Sequence, residues 1–241
     1  WHSSGNTTKF PTEYRENYHL IKTEMVQEKG YQLFHIFENE WLDKTKREIW
    51  CSLLKNKMNL TDEINLNDSI IKNITNEKIK DFMLNNSLDA YNQAEINLGL
   101  YLDEELYSVI SFNRISDKEY RIINTCTKIN SSINILLNRM LIFFHNEYKP
   151  STIFYRANRR YYCEYLDFDI INFDEPEYFY FKSNQNILYN SEQCKLIELN
   201  DYNDKLSETQ NMYNNNYRKI YDAGYVNFKK EYKIKDKNDN K

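Results

Sequence analysis

Between positions 156 and 162 the chain reads Arg-Ala-Asn-Arg-Arg-Tyr-Tyr, its densest mixture of basic and aromatic side chains. The guanidinium forks of Arg156, Arg159 and Arg160 suit phosphate oxygens, and Tyr161 and Tyr162 offer faces on which a base can stack, which makes DNA a candidate partner. The same arginines can instead pair with the acids between Asp167 and Glu177, and the sequence leaves both arrangements open. Glu38 and Glu40 stand just before Trp41, where acids complement the positive end of a starting helix. The four cysteines, Cys51, Cys126, Cys163 and Cys194, are far apart with no C-x-x-C pair, so neither a zinc ribbon nor a disulfide scaffold is indicated. They read as reduced thiols of an intracellular protein, and no metal site is expected among them.

Elements of defined type must position these groups. From Tyr14 to Lys29 apolar residues at Tyr18, Ile21, Met25 and Val26 recur at helical spacing, and Gly30 supplies a stop. The YQLFHIF segment, Tyr31 to Phe37, has the β-branched and aromatic density of a strand. A second helix follows, with Trp41, Ile49, Trp50, Leu53 and Leu54 able to share a face. Residues 59–76 are polar and aperiodic and are predicted to be a linker. Beyond them come a short helix (Glu77 to Asn85), a hairpin (Ile96 to Leu102 and Leu106 to Phe112, turning at Asp103 to Glu105) and a strand at Tyr120 to Asn124. A core helix from Ile133 to Asn146 and strands at Ile153 to Tyr155 and Tyr178 to Lys182 complete the pattern. The predicted organisation is a unit over 1–58, a linker over 59–76, a module over 77–228 and a disordered Lys-rich tail over 229–241.

Composition excludes whole classes. The 241 residues include 33 Asn, 24 Ile and 21 Tyr but 4 Gly and 3 Pro, a bias that an AT-rich coding sequence imposes by itself. Hydrophobic residues at 41% are enough to offset the conformational entropy of folding, so the chain is read as folded. Its longest apolar run is near Met140 to Phe144, too short for a membrane span, and no signal peptide opens it. A net charge of −4 gives no global attraction to nucleic acid, so any DNA contact has to come from a local patch.

Trp1, His2 and Ser3, the YHLIKT segment from Tyr18 and the HIFENEW segment ending at Trp41 resemble the second half of the nuclease domain in phage and giant-virus homing endonucleases. That group is related to the very-short-patch mismatch-repair endonuclease, within the restriction-endonuclease-like fold. The resemblance implies that His2 is the catalytic histidine acting beside a magnesium ion in the parent family, and that His19 holds the position that orients it. It makes Lys22, Glu38 and Glu40 candidates for contacts near the same edge. The carboxylate strands that hold the metal precede the W-H-S phrase in the family and are absent from this chain. The expectation is therefore a fragment beginning inside a longer protein, without nuclease activity as it stands and binding no cofactor well. The alternative is a non-catalytic DNA-binding or interaction remnant.

The remainder resembles a module in the same proteins that is similar to the acetyltransferase superfamily. Leu98 to Phe112 matches its hairpin, Cys126, Lys128 and Asn130 the next segment, Arg156 to Arg160 a Y-A-D-R-R phrase, and Tyr221 to Gly224 a terminal Y-D-A-G. The fold expected is thus α/β to α+β, a partial restriction-endonuclease-like core followed by an acetyltransferase-like α+β domain. Acetyltransferases seat the coenzyme diphosphate on a Gly-rich helix start. Ile135 and Leu136 replace those glycines, and Asp167 another before Phe168, which disfavours an acyl-coenzyme A-dependent acyltransferase.

Overall fold

The computed structural model describes residues 16–61, 64–162, 167–182, 187–194 and 198–232. In chain order the elements are α1 (Tyr18–Gln27), α2 (Glu38–Leu42), α3 (Lys44–Lys57), β1 (Ile70–Asn73), α4 (Asn76–Asn86), β2 (Ile96–Leu102), β3 (Glu105–Arg114), β4 (Glu119–Thr127) and α5 (Ile133–Tyr148). There follow β5 (Thr152–Asn158), β6 (Asp169–Phe173), β7 (Tyr178–Lys182), β8 (Tyr189–Asn190), α6 (Ser191–Cys194), α7 (Glu208–Asn214), β9 (Tyr217–Tyr221) and β10 (Tyr225–Glu231). They fall into two units, one comprising 1–44, 158–162 and 173–226, the other 45–157, 163–172 and 227–241.

The larger unit is built on a mixed sheet of order β1-β2-β3-β4-β5-β10-β6. β1 to β4 are antiparallel neighbours. Asp103 and Glu104 take the left-handed backbone that the tight β2–β3 turn requires. Alternation sends Leu98, Leu100, Ile110 and Phe112 to one face, where they pack on Leu136, Met140 and Phe144 of α5, with Phe112 and Phe144 stacked at 3.6 Å. The opposite face carries Val109 and Cys126 against Ile79 and Met83 of α4. Thr75 caps α4 by accepting from the Lys78 N–H. α5 ends where Lys149 turns left-handed (φ 47°) ahead of Pro150.

The smaller unit contains the antiparallel sheet β8-β7-β9, packed through Tyr180, Cys194, Met212 and Tyr217. α7 opens with a reciprocal cap between Ser207 and Gln210.

A restriction-endonuclease-like core is not shown among the described residues. Residues 31–37, expected as its strand, are not in a strand, and the His35 N–H donates to the Arg160 carbonyl at 3.0 Å. A strand needs a ladder, and the three-stranded sheet of this unit is supplied by other segments. The expected linker contains β1, paired over Ile70–Asn73 with Tyr101–Leu98. The second helix is broken at Asp43, whose backbone is extended (ψ 123°), into α2 and α3. α1 buries His19 and Thr23 rather than the predicted apolar stripe, and Met25 is exposed. β10 continues to Glu231, into the predicted tail. Among the described residues no helix is long and apolar enough to cross a membrane.

Candidate functional site

The residues singled out from sequence lie in two places. His2 is outside the described residues. His19 is buried on α1, and its Nδ1 lies 2.5 Å from the Tyr221 carbonyl oxygen. A carbonyl only accepts, so Nδ1 carries the proton. Thr23 donates its hydroxyl to the His19 carbonyl (2.9 Å) and accepts from His35 Nε2 (2.7 Å). Burial, reinforced by the neighbouring His19, Arg160 and Lys22, holds the His35 pKa down at about 3. The imidazole is therefore neutral in the fold at any physiological pH.

That depression makes a pH prediction. The unfolded chain binds a proton to His35 below about 6.5 and the folded chain does not, so stability rises with pH between about 3 and 6.5. Lowering the pH from 7 to 5.5 should cost about 1 kcal/mol through this residue. Urea unfolding of the parent and of His35→Phe at both values checks it: the variant should lose that share of the pH dependence, and an unchanged slope counts against the assignment.

Arg160 lies inside the smaller unit. Nη1 and Nη2 each meet a Glu40 carboxylate oxygen at 3.0 Å, and the guanidinium sits 4.2 Å over Phe37. Arg159 donates to Gln27 (3.0 Å), lies 3.6 Å from Glu24 and covers Phe173. The two guanidinium groups are thus buried and engaged within their unit. Arg156 is exposed on β5, and Lys22 lies over the Tyr18 ring. Glu40 is a buried ion-pair partner rather than a surface acid. Beside His19 a cavity of about 330 Å³ is lined by Ile36, Phe37, Glu38, Asn39 and Phe181. Among the described residues no three or more His, Cys, Asp or Glu side chains converge as a metal ion would require.

The second place is the edge of the large sheet. β4 and β5 are parallel but pair only from Glu119 to Arg121 with Thr152 to Phe154, although both strands continue. Over Ile122–Thr127, β4 therefore has a backbone edge that β5 does not take up. Burial, with Asp89 nearby, pushes the pKa of the Tyr155 phenol on β5 up to about 12. Burial likewise holds the Cys126 thiol well above its ordinary value, so it stays protonated and is not a nucleophile.

After β4 the chain bends through Lys128 to Ser132 into α5, and three backbone N–H groups along it meet side chains of this unit. Asn86 Oδ1 accepts from the Ile129 N–H (2.9 Å), Ser52 Oγ from Asn130 (2.7 Å) and Asn56 Oδ1 from Ile133 (3.0 Å). Asn56 Nδ2 donates to the carbonyls of Ser131 and Ser52, and Lys55 reaches Asn130 Oδ1. A cavity of about 500 Å³ opens alongside, lined among others by Asp68, Tyr107, Lys128 and Asn130. Ile135 and Leu136, expected to close this bend, lie in the first turn of α5, one exposed and the other in the core. Ser52, Asn56 and Asn86 were not among the sequence candidates. Their signal is a polar pair four residues apart, Ser52 and Asn56, on the same helix face as Ile49, which buries only if hydrogen-bonded.

No family model matches the chain, and no curated protein matches it. Among solved structures it is similar to the ribosomal-protein-S18-alanine N-acetyltransferase from Escherichia coli, at 9% identity and a TM-score of 0.43, covering 70% of this chain and 97% of that one. It is similar to Ard1 from Thermoplasma volcanium at 12% identity and a TM-score of 0.40, covering 69% and 99%. A GNAT family acetyltransferase from Elizabethkingia anophelis, with acetyl-CoA bound, gives 9% and 0.36, covering 69% and 99%. These findings correct the homing-endonuclease reading, with its magnesium cofactor and its DNA-binding remnant alternative: the similar structures are acetyltransferases, and the ligand bound in the last is acetyl-CoA. They equally correct the disfavouring of an acyltransferase on the strength of Ile135 and Leu136.

Proposed function

We propose that the protein is an acyltransferase that draws its acyl group from a coenzyme A thioester. The observation that carries this reading is the parallel pair β4 and β5, which parts after three residue pairs, so that β5 does not take up Ile122–Thr127. An extended ligand bearing amide groups can pair with such an edge as an added strand would, and the arm of coenzyme A is of that kind. The agreement of Leu98 to Phe112 with an acetyltransferase-type hairpin points the same way, since these residues form β2 and β3.

The diphosphate is a different matter. A helix start grips phosphate with open N–H groups, and Ile129, Asn130 and Ile133 already give theirs to side chains of this chain. These three groups are therefore not the ones that would meet a diphosphate at this bend.

The test is incubation of the full chain with acetyl-coenzyme A and a panel of primary amines, following free thiol and the mass of the acylated amine. Amine-dependent thiol release is the expected result. Absence of release with every acceptor, together with no thermal stabilisation by millimolar coenzyme A, overturns the reading.

A further inference from the structure

We infer that the smaller unit carries a ligand site of its own, independent of acyl transfer: the cavity beside His19 takes a neutral, mainly apolar compound that bears a carbonyl group, held by the side-chain amide of Asn39. At about 330 Å³ the cavity has the size of a small-molecule site. Ile36, Phe37, Phe181, Leu188 and Ile220 give it apolar walls. Two of these come from one face of the three-stranded sheet. Phe179 on β7 pairs with Ile220 on β9, and Phe181, two residues on, points to the same side. The opposite face carries Tyr180 and Tyr217 against Cys194 and Met212, so the cavity uses the face that this small core does not.

Three polar side chains join that lining. His19 gives its Nδ1 proton to the Tyr221 carbonyl, and Glu38 is exposed to solvent. Asn39 differs: it is only 9% exposed, and its buried Nδ2 has no hydrogen-bond partner among the described residues. A buried amide donor without an acceptor is destabilising, and a carbonyl oxygen entering the cavity relieves it. The donor is also held ready. The buried Glu40–Arg160 pair anchors α2 one residue along from Asn39, and the Arg160 guanidinium lies over the Phe37 ring, so the wall and the donor are in place before a ligand arrives. Charge narrows the class further. Among the described residues Glu38 lines the cavity and no Lys or Arg does, so a carboxylate ligand would lose its hydration beside a negative group with no cation to meet it. A ketone, ester or amide with an apolar body satisfies both conditions.

The experiment titrates the full chain with benzylacetone, with butylbenzene, which keeps the shape and lacks the oxygen, and with hydrocinnamate, which exchanges the methyl ketone for a carboxylate. Binding is read by NMR from the backbone amides of α2, and hydrogen bonding from the Asn39 side-chain amide, identified by its absence from the Asn39→Leu variant. Benzylacetone should bind about tenfold more tightly than butylbenzene, the share of one hydrogen bond, and should shift the Asn39 side-chain amide. Hydrocinnamate should bind at least about tenfold more weakly than benzylacetone. Asn39→Leu keeps the size and removes the donor, and should bring the ketone and the hydrocarbon within about twofold of each other. Leu188→Trp fills the cavity and should abolish binding of both. No binding of benzylacetone at millimolar concentration overturns the inference, as does equal binding of ketone and hydrocarbon, or a preference for the ketone that survives Asn39→Leu. Should Asn39→Leu fail to fold, the ratio in the parent and the loss in Leu188→Trp still decide. None of these readouts involves a thioester, so failure here leaves the acyltransferase reading intact, and failure of that reading leaves this site standing.

Discussion

Replacing Glu40 with alanine lowers the free energy of unfolding by about 3 to 5 kcal/mol, because it leaves the Arg160 guanidinium buried without its carboxylate. The pair is bidentate, with both N···O distances 3.0 Å, and the two side chains are only 7% and 5% exposed. Besides Glu40 the guanidinium reaches the His35 carbonyl only at 3.5 Å, and Nε, also buried, has no hydrogen-bond partner among the described residues, so little absorbs the loss. Burial alone would depress the Arg160 pKa, but the Glu40 charge and hydrogen bonds outweigh it and keep the group fully cationic. Urea unfolding at neutral pH measures the effect. Glu40→Gln should fall between the parent and the alanine variant, and the double change Glu40→Leu with Arg160→Met should recover much of the loss, since no charge is then stranded. A cost below about 1 kcal/mol for Glu40→Ala is what an exposed pair would show, and it would refute the assignment. Raising the salt concentration should barely alter the result, as screening reaches buried pairs weakly.

Gly224→Ala is expected to cost a comparable amount. Gly224 has φ +77°, where a Cβ is disfavoured by about 1 to 2 kcal/mol. An added Cβ would fall inside contact distance of the Asp174 carbonyl oxygen, with the Glu175 carbonyl carbon 3.3 Å away. Both are backbone atoms, which cannot swing aside as a side chain can, and the forced shift adds about 1 to 3 kcal/mol. The surrounding turn has little room to relax. Asp222 Oδ1 accepts from the N–H groups of Gly224 and Glu177, each at 2.8 Å, and the Gly224 carbonyl accepts from the Arg159 N–H. The same substitution at Gly99 offers the contrast. There the nearest atoms are side-chain methyls of Leu106 and Ile74, which can yield. Thermal unfolding of the two variants should place Gly224→Ala well below Gly99→Ala, and the reverse order would contradict the geometry.

Periodicity carried the large unit well. The hairpin at Ile96–Leu102 and Glu105–Arg114, the strand at Glu119–Thr127 and the helix at Ile133–Tyr148 follow from alternation and helical spacing, because each buries an apolar face against a neighbour close in sequence. Failures arose where side-chain pattern and backbone pairing part company. Residues 31–37 have the composition of a strand, with His35 and Phe37 buried, yet among the described residues no neighbouring strand completes a ladder. β1 was hidden because Ile70–Asn73 is a short, mostly exposed edge. β9 and β10 lie in a Tyr- and Asn-rich stretch whose polarity masks them, although Tyr217, Val226 and Phe228 are buried. The site was harder. The arginine cluster was visible as residues, but which acid would claim Arg160 depended on Glu40, 120 positions earlier. The bend at α5 was sought in missing glycines, whereas polar side chains from two helices supply what matters there.

The bond from His19 to the Tyr221 carbonyl spans 202 residues. During synthesis at about 5 to 20 residues per second, α1 therefore leaves the ribosome roughly 10 to 40 seconds before the strand that receives it. For that interval a helix whose inward face is polar must wait without its acceptor, while the β2–β3–β4 meander, with partners only a turn away, can already close. Nascent-chain length, more than any single contact, then sets when the smaller unit can exist. A ribosome stall placed after β4 and α5 have emerged but before Tyr221 has done so should yield a chain whose β2–β3–β4 meander is protected from proteolysis while residues 16–44 are cut.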